Sequence, residues 1–181
     1  MQQIKIQYYQ SPVGELLLGS YQSQLCLCDW RYRKMREGVD KRIKTTLNAE
    51  YILASDAVIE LTLNQLNEYF EGSRQRFEVP LLLAGTLFQK QVWRQLIKVP
   101  YAETVSYLDL SMALGNVKAI RAVASANGAN ALSIIVPCHR IIGSDGKLVG
   151  YAGGLDVKKK LLDLEACCLG VDVMRQTLAL F

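Results

Sequence analysis

Histidine is almost absent from this sequence, with one imidazole, His139, in 181 residues. There are five cysteines, but only Cys26 and Cys28 share a Cys-x-Cys spacing. No four-ligand zinc set can be assembled from them locally, so no metal is expected. No run of about eighteen uninterrupted apolar residues exists, so no membrane span is expected. Residues Met1 to Tyr8 alternate polar with apolar, which is not the charged end and greasy run of an export signal. An odd number of cysteines without that signal reads as reduced thiols in the cytoplasm. Charge is not heavily one-sided either: a formal net charge of +4 permits phosphate binding without requiring it. Half of the residues are apolar, enough to bury a core in one domain or in two small ones packed together.

What is present divides near residue 85. Ile4, Ile6 and Tyr8 recur at every second position, Ser11-Pro12-Val13-Gly14 punctuates, and Leu16 to Leu18 and Leu25 to Cys28 follow, which predicts a small antiparallel sheet. On that strand Cys26 and Cys28 should share a face. Arg31 to Lys44 carries seven basic side chains against Glu37 and Asp40 and reads as a solvated loop, with a nucleic-acid-facing role left open. Ile59, Leu63, Leu66 and Phe70 predict a helix over the sheet, stopped at Gly72. Past Pro80, Thr86 with Gln89 forms a capping signature, and Ser106 with Asp109 forms another. The second opens a short helix ending at Gly115-Asn116, and Val117 to Ser125 reads as a further helix. Two short helices across a glycine turn suggest a helix-turn-helix, whose second helix is rich in alanine and carries Lys118 and Arg121. Small residues of this kind equally suit plain packing against neighbouring helices.

Chemistry concentrates at Pro137-Cys138-His139-Arg140, which forces a nucleophile, the sole imidazole and a guanidinium together. A free thiol with a pKa of about 8.5 is mostly protonated at neutral pH and needs a base. Neighbours on an extended strand point apart, so either a turn at Pro137 or a bridging water must connect Cys138 to His139. Asp156 can cap a final helix whose inner face carries Val157, Leu161 and Leu164, with Glu165 on the same face. A half-buried carboxylate there could anchor His139, completing a nucleophile, base and orienter relay, or could pair with Lys158 or Arg140. Cys167 and Cys168 should lie past the helix end.

The segment Ile134 to Gly143, IIVPCHRIIG, resembles the active-site segment of the O6-alkylguanine-DNA alkyltransferases, most like their bacterial constitutive type. The likeness runs through Phe88 to Trp93, Pro100 to Tyr107, Gly115 to Asn130 and Gly150 to Glu165, while the first 80 residues match only in layout. It implies an α+β protein: residues 1–85 as a ribonuclease H-like sheet with a covering helix, and residues 86–181 as a mostly helical unit with a winged helix-turn-helix that enters the DNA minor groove. The implied activity is direct-reversal repair of double-stranded DNA. The alkyl group of O6-alkylguanine, or of O4-alkylthymine, moves irreversibly to Cys138 after nucleotide flipping, without a cofactor and once per chain. The same likeness makes His139 a water-mediated base, Glu165 its anchor and Asn130 the support of the cysteine turn. Arg121 would fill the vacated duplex position, and Tyr107 would crowd the phosphate and help protonate the departing guanine. Val136, Ile141, Tyr151, Ala152 and Gly153 would line the pocket. A monomer is implied, with clustering along DNA left open.

Departures from the family pattern are Ala102 where glycine is usual, Val117 and Ala131 where proline is frequent, and Ala152 where some members carry serine. Relatives that bind alkylguanine without chemistry have tryptophan in place of Cys138, so the cysteine argues against that mode. A transcription factor with a redox-sensing Cys138 predicts operator binding without transfer. A thiol hydrolase predicts many turnovers and an oxyanion hole.

Overall fold

A computed structural model describes residues 2–170. Residues 171–181, assigned above to the second unit, lie outside the described residues.

The chain opens with the meander β1 (Gln2–Ser11), β2 (Gly14–Tyr21) and β3 (Gln24–Trp30), then α1 (Arg36–Leu47), β4 (Ala49–Leu53) and α2 (Ala57–Phe70). Sheet order is β3-β2-β1-β4, with β4 parallel to β1. The sheet is therefore mixed rather than wholly antiparallel. Its fourth strand is short and offers little alternation to read, being fixed by pairing with a strand almost fifty residues away. Asp56 caps α2 through hydrogen bonds from the Val58 and Ile59 amides at 3.1 Å, and Gly72, at φ 81°, ends the turn.

Two further expectations fail here. Arg36–Leu47 is helix, not loop: Val39 and Ile43 are buried and Leu47 partly so, a stripe of every fourth residue that packs on Ile4, Leu17 and Leu27. Cys26 and Cys28 do not share a face. The β2–β3 register shifts between Gly19 and Ser20, so Cys26 is the extra residue of a bulge. Cys26 joins the core under α1, whereas Cys28 joins the larger core under α2 and the second unit.

The second unit contains α3 (Leu87–Leu96), β5 (Val105–Ser106), α4 (Tyr107–Ala113), α5 (Ile120–Gly128), β6 (Ile141–Ile142) and α6 (Leu155–Cys168). Both capping boxes form, Thr86 with Gln89 and Ser106 with Asp109. Gly115, at φ 76°, turns the chain from α4 towards α5, with one 3-10 turn, Val117–Ala119, in between. Helix α6 is capped by the Gly154 backbone at φ 90°, with Asp156 in its first turn rather than at the cap, and it runs through Cys167 and Cys168.

The exposed edge of β3 is where the two units join. Leu25 pairs with the linker through Pro80 and Leu82, and the Cys28 amide donates to Ala131 O at 2.8 Å. Covering a sheet edge this way satisfies its free backbone groups. It also seats the segment that follows α5 directly on the first unit.

Candidate alkyl-acceptor site

Residues 130–141 are all buried, and two tight turns shape them. Ile134, at φ 72°, is the centre of a three-residue turn closed by the Ile135 amide on Ser133 O at 2.9 Å. A β-branched residue in that conformation is strained. Pro137, at φ −79° and ψ 62°, centres an inverse γ-turn closed by the Cys138 amide on Val136 O at 2.8 Å. Proline's ring favours that φ, so a one-residue reversal leads straight into the 3-10 turn Cys138–Arg140. This is a turn at Pro137 of the kind expected above, and it takes Cys138 and His139 off an extended strand. Asn130 binds the segment together: its side-chain amide donates to Val136 O at 2.9 Å and to Cys138 Sγ at 3.2 Å, while its Oδ1 accepts from the Leu132 amide at 2.9 Å.

His139 is fully buried, and its Nε2 lies 2.8 Å from Glu165 Oε1. The carboxylate accepts five hydrogen bonds in all, the others coming from Tyr69 OH, two Arg140 nitrogens and the Ala102 amide. The two sequence alternatives for Glu165 thus resolve together: it holds His139 and Arg140 at once, and Lys158 binds elsewhere. Burial alone would raise the Glu165 pKa, but the bonds from His139 and Arg140 outweigh it and hold the group at about 2. Burial pushes His139 below its ordinary value, so the ring is neutral at pH 7. With Nε2–H donated to an ionised carboxylate, the lone pair sits on Nδ1, which is buried and has no hydrogen-bond partner among the described residues.

Cys138 is only 3% exposed, yet it lines a cavity of about 1070 Å³. Tyr107, Arg121, Tyr151, Ala152 and Gly153 line the same cavity. Val136 and Ile141, expected at its wall, are not among the lining residues; their side chains are fully buried in the core. The resemblance that assigned them to the pocket carries no information on which side chains the γ-turn at Pro137 sends into the core. Gly153 lies so close to Trp30 of β3 that a Cβ there would come within 2.7 Å of the indole. Burial raises the Cys138 pKa to about 11, against the pull of the Asn130 bond, Lys158 and Arg33. Tyr107 is likewise raised, first by burial and then by the nearby sulfur, and so stays protonated.

Support from the first unit was invisible in the sequence. Arg33 donates to Gly128 O at 2.6 Å and Asn130 O at 2.9 Å while pairing with buried Asp29 at 2.7 Å, and Arg42 donates to Ala129 O at 2.7 Å. Guanidiniums thereby satisfy the carbonyls at the C-terminal end of α5, where a helix carries partial negative charge. Asp29 also accepts from Ser133 at 3.0 Å. Two arginines of the basic segment therefore face inward. Only the motif-bearing residues had a signal that sequence reading could find, since Arg33 meets partners about a hundred positions away.

Residues 87–167 match the family model described as 6-O-methylguanine DNA methyltransferase, DNA binding domain, and residues 4–83 match the one described as 6-O-methylguanine DNA methyltransferase, ribonuclease-like domain. The chain is 42% identical over 156 residues to a methylated-DNA--protein-cysteine methyltransferase of Methanosarcina barkeri, covering 86% of this chain and 93% of that one. It is 38% identical over 157 residues to the constitutive methylated-DNA--protein-cysteine methyltransferase of Bacillus subtilis, covering 86% and 92%. Among solved structures, Mycobacterium tuberculosis OGT in complex with DNA superposes with a TM-score of 0.77 at 36% identity, covering 92% of this chain and 94% of that chain. Two family models together spanning most of the chain, and relatives of this identity along most of its length, place it: the chain belongs to the 6-O-methylguanine DNA methyltransferase family.

Proposed function

We propose that this protein reverses alkylation of guanine in double-stranded DNA by taking the alkyl group onto Cys138, one lesion per chain. The observation that carries the reading is a buried sulfur at the wall of a cavity of about 1070 Å³, ample for a base, backed by an imidazole locked to a carboxylate at 2.8 Å.

The resting sulfur is a thiol, because burial holds its pKa far above neutrality. Its proton passes through one water to His139 Nδ1, and Glu165 stabilises the imidazolium that forms. The sulfur lone pair attacks the alkyl carbon, the carbon–oxygen bond breaks, and the electron pair departs on the guanine. Tyr107 donates a proton to the purine and is reprotonated in turn, so the net reaction carries the thiol proton to guanine. The product is a thioether that neither His139 nor water cleaves. No cofactor takes part.

In-line attack cannot reach a stacked base, so the nucleotide rotates out, and Arg121, exposed on α5, fills the gap. The exposed face of α5 carries Arg121 beside Ala122 and Ser125, and the last two are small enough to let the helix approach a minor groove closely. The loop after β6 stands as the wing of this helix-turn-helix. Residues 1–85 act as the scaffold and residues from 86 onward as the DNA-binding and acceptor unit, working as a monomer on O6-alkylguanine and O4-alkylthymine in the cytoplasm.

Incubation with duplex DNA carrying labelled O6-methylguanine tests this. Label should move to the protein at no more than one per chain and be absent in Cys138→Ser. Release of labelled methanol with repeated turnover would instead indicate a hydrolase.

A further inference from the structure

Lys158 exchanges no proton or group in the transfer chemistry above, yet it is fully buried. A lysine is rarely sealed from water unless its ammonium is fully engaged. Helix α6 places it on the same inner face as Leu161 and Glu165. No acidic side chain pairs with it among the described residues. Its Nζ donates instead to the Ile141 carbonyl, to Val149 O at 2.7 Å and to Gly150 O at 3.5 Å.

Ile141 lies in β6, just before a loop, and Val149 and Gly150 lie at that loop's returning end. The chain leaves β6 after Ile142, reverses through Ser144-Asp145-Gly146, and returns at Val149-Gly150. Within the loop the Gly143 amide donates to Lys147 O at 2.9 Å and the Gly146 amide to Gly143 O at 3.0 Å. Among the described residues, every hydrogen bond from 143–150 to the rest of the molecule ends on Lys158 Nζ. Gly143, Ser144, Val149 and Gly150 form part of the wall of the Cys138 cavity.

We propose that Lys158 is a positioning residue for the transfer site: its buried ammonium ties the returning end of the 143–150 loop to β6 and α6, so that this wall of the cavity is in place before a base enters. The inference rests on the transfer reading above and names what shapes that site. A loop with glycines at 143, 146 and 150 has many conformations to lose, and ordering it only when substrate arrives would weaken binding. Convergence of the ammonium donors on a β6 carbonyl and on the loop's returning end removes that freedom in advance. The same charge lies near enough to Cys138 for each group to favour the other's ionised form, so a test must separate the loop from the sulfur.

Lys158→Met keeps the length and removes the donors. Three measurements are made on the whole protein: hydrogen exchange of the 143–150 amides, single-turnover transfer from O6-benzylguanine as free base over a range of concentrations, and alkylation of Cys138 by iodoacetamide. Expected are loss of protection confined to 143–150 with α6 still protected, a rise of about tenfold or more in half-saturating concentration, and a fall in iodoacetamide reactivity, from the charge lost near the sulfur, that is clearly smaller than that rise. Unchanged loop exchange overturns the proposal, and so does an equal fall in transfer and iodoacetamide rates, which would place Lys158 on the sulfur alone. Should Lys158→Met not fold, Lys158→Arg decides: retained loop protection with a half-saturating concentration between about twofold and tenfold above the parent supports pinning, and loop exchange at the rate of an unstructured segment contradicts it. Failure of the parent protein to accept any alkyl group would sink the transfer reading and leave the exchange result to stand separately.

Discussion

Cys28 and Cys138 stand on segments bonded to one another, through the Cys28 amide and Ala131 O, and both are almost wholly buried. Burial pushes both thiols up, and Asp29 adds to each. Cys28 has nothing to offset this and sits in a closed core. Cys138 has a hydrogen bond from Asn130, two cations that lower it, a neutral imidazole next in sequence, and a cavity in front. Low exposure and a raised pKa therefore do not separate an inert sulfur from a reactive one. On the function proposed above, what separates them is a place for the proton to go and room for the alkyl carbon to approach.

That contrast breaks most sharply at the sulfurs themselves. Cys138→Ser should accept no alkyl group, whereas Cys28→Ala should keep one per chain and lose only packing, about 1–2 kcal/mol by denaturant unfolding. Loss of transfer in the second variant would show that the distinction is drawn in the wrong place.

Next in size is the proton acceptor. Glu165→Gln leaves Arg140 buried without its counter-charge, which should cost about 3–5 kcal/mol of stability and slow single-turnover transfer by about a hundredfold. It also changes the acid limb of stability. Glu165 sits at about 2 against an ordinary 4.5, so its contribution is complete above 4.5 and lost as pH falls towards 2. His139, lowered from 6.5, contributes fully above 6.5 and loses its contribution as pH falls through its folded value, because the unfolded chain takes the proton first. The variant should lack the lower window. Thermal melts across pH read both.

A smaller and more selective effect is expected on the cavity rim. Arg121→Ala should slow repair in duplex DNA by about tenfold or more while altering reaction with a free alkylguanine base by less than about threefold, because its part is in extrusion. Equal losses on both substrates would move Arg121 into the pocket chemistry.

The smallest effect is at Ala102, whose amide reaches Glu165 at 3.0 Å from a backbone at φ 60°. Alanine is strained there, so Ala102→Gly should stabilise by about 0.5–1 kcal/mol, or a few degrees in Tm, with transfer unchanged. Glycine is what the family resemblance implied at this position, and a left-handed backbone is one that glycine adopts without strain.

How far the sequence could be read follows the same division between local and distant causes. Both capping boxes, the stop at Gly72 and the α2 stripe depend on neighbours within a few residues, and all were legible. Glu165 could be placed beside His139 because helical spacing set it on the inner face with Leu161. Tyr69 and the Ala102 amide, which share that carboxylate, come from elements 96 and 63 residues away and leave no local trace. The bulge at Cys26 has no residue signature, and β4 is defined only by its partner. Val39, Ile43 and Leu47 did offer a helical period, which the density of positive charge around them obscured.

The central claim is that a protonated, buried thiol reacts at neutral pH because a fixed imidazole takes its proton. The direct measurement is the rate of single-turnover methyl transfer from duplex DNA between pH 5 and about 10. The account predicts a rise through the His139 titration, below 6.5, followed by a plateau across neutrality, with the rise displaced in Glu165→Gln. A rate that climbs about tenfold for each pH unit from 7 towards the Cys138 value of about 11, with no plateau, would show a sulfur ionising unaided and would contradict it.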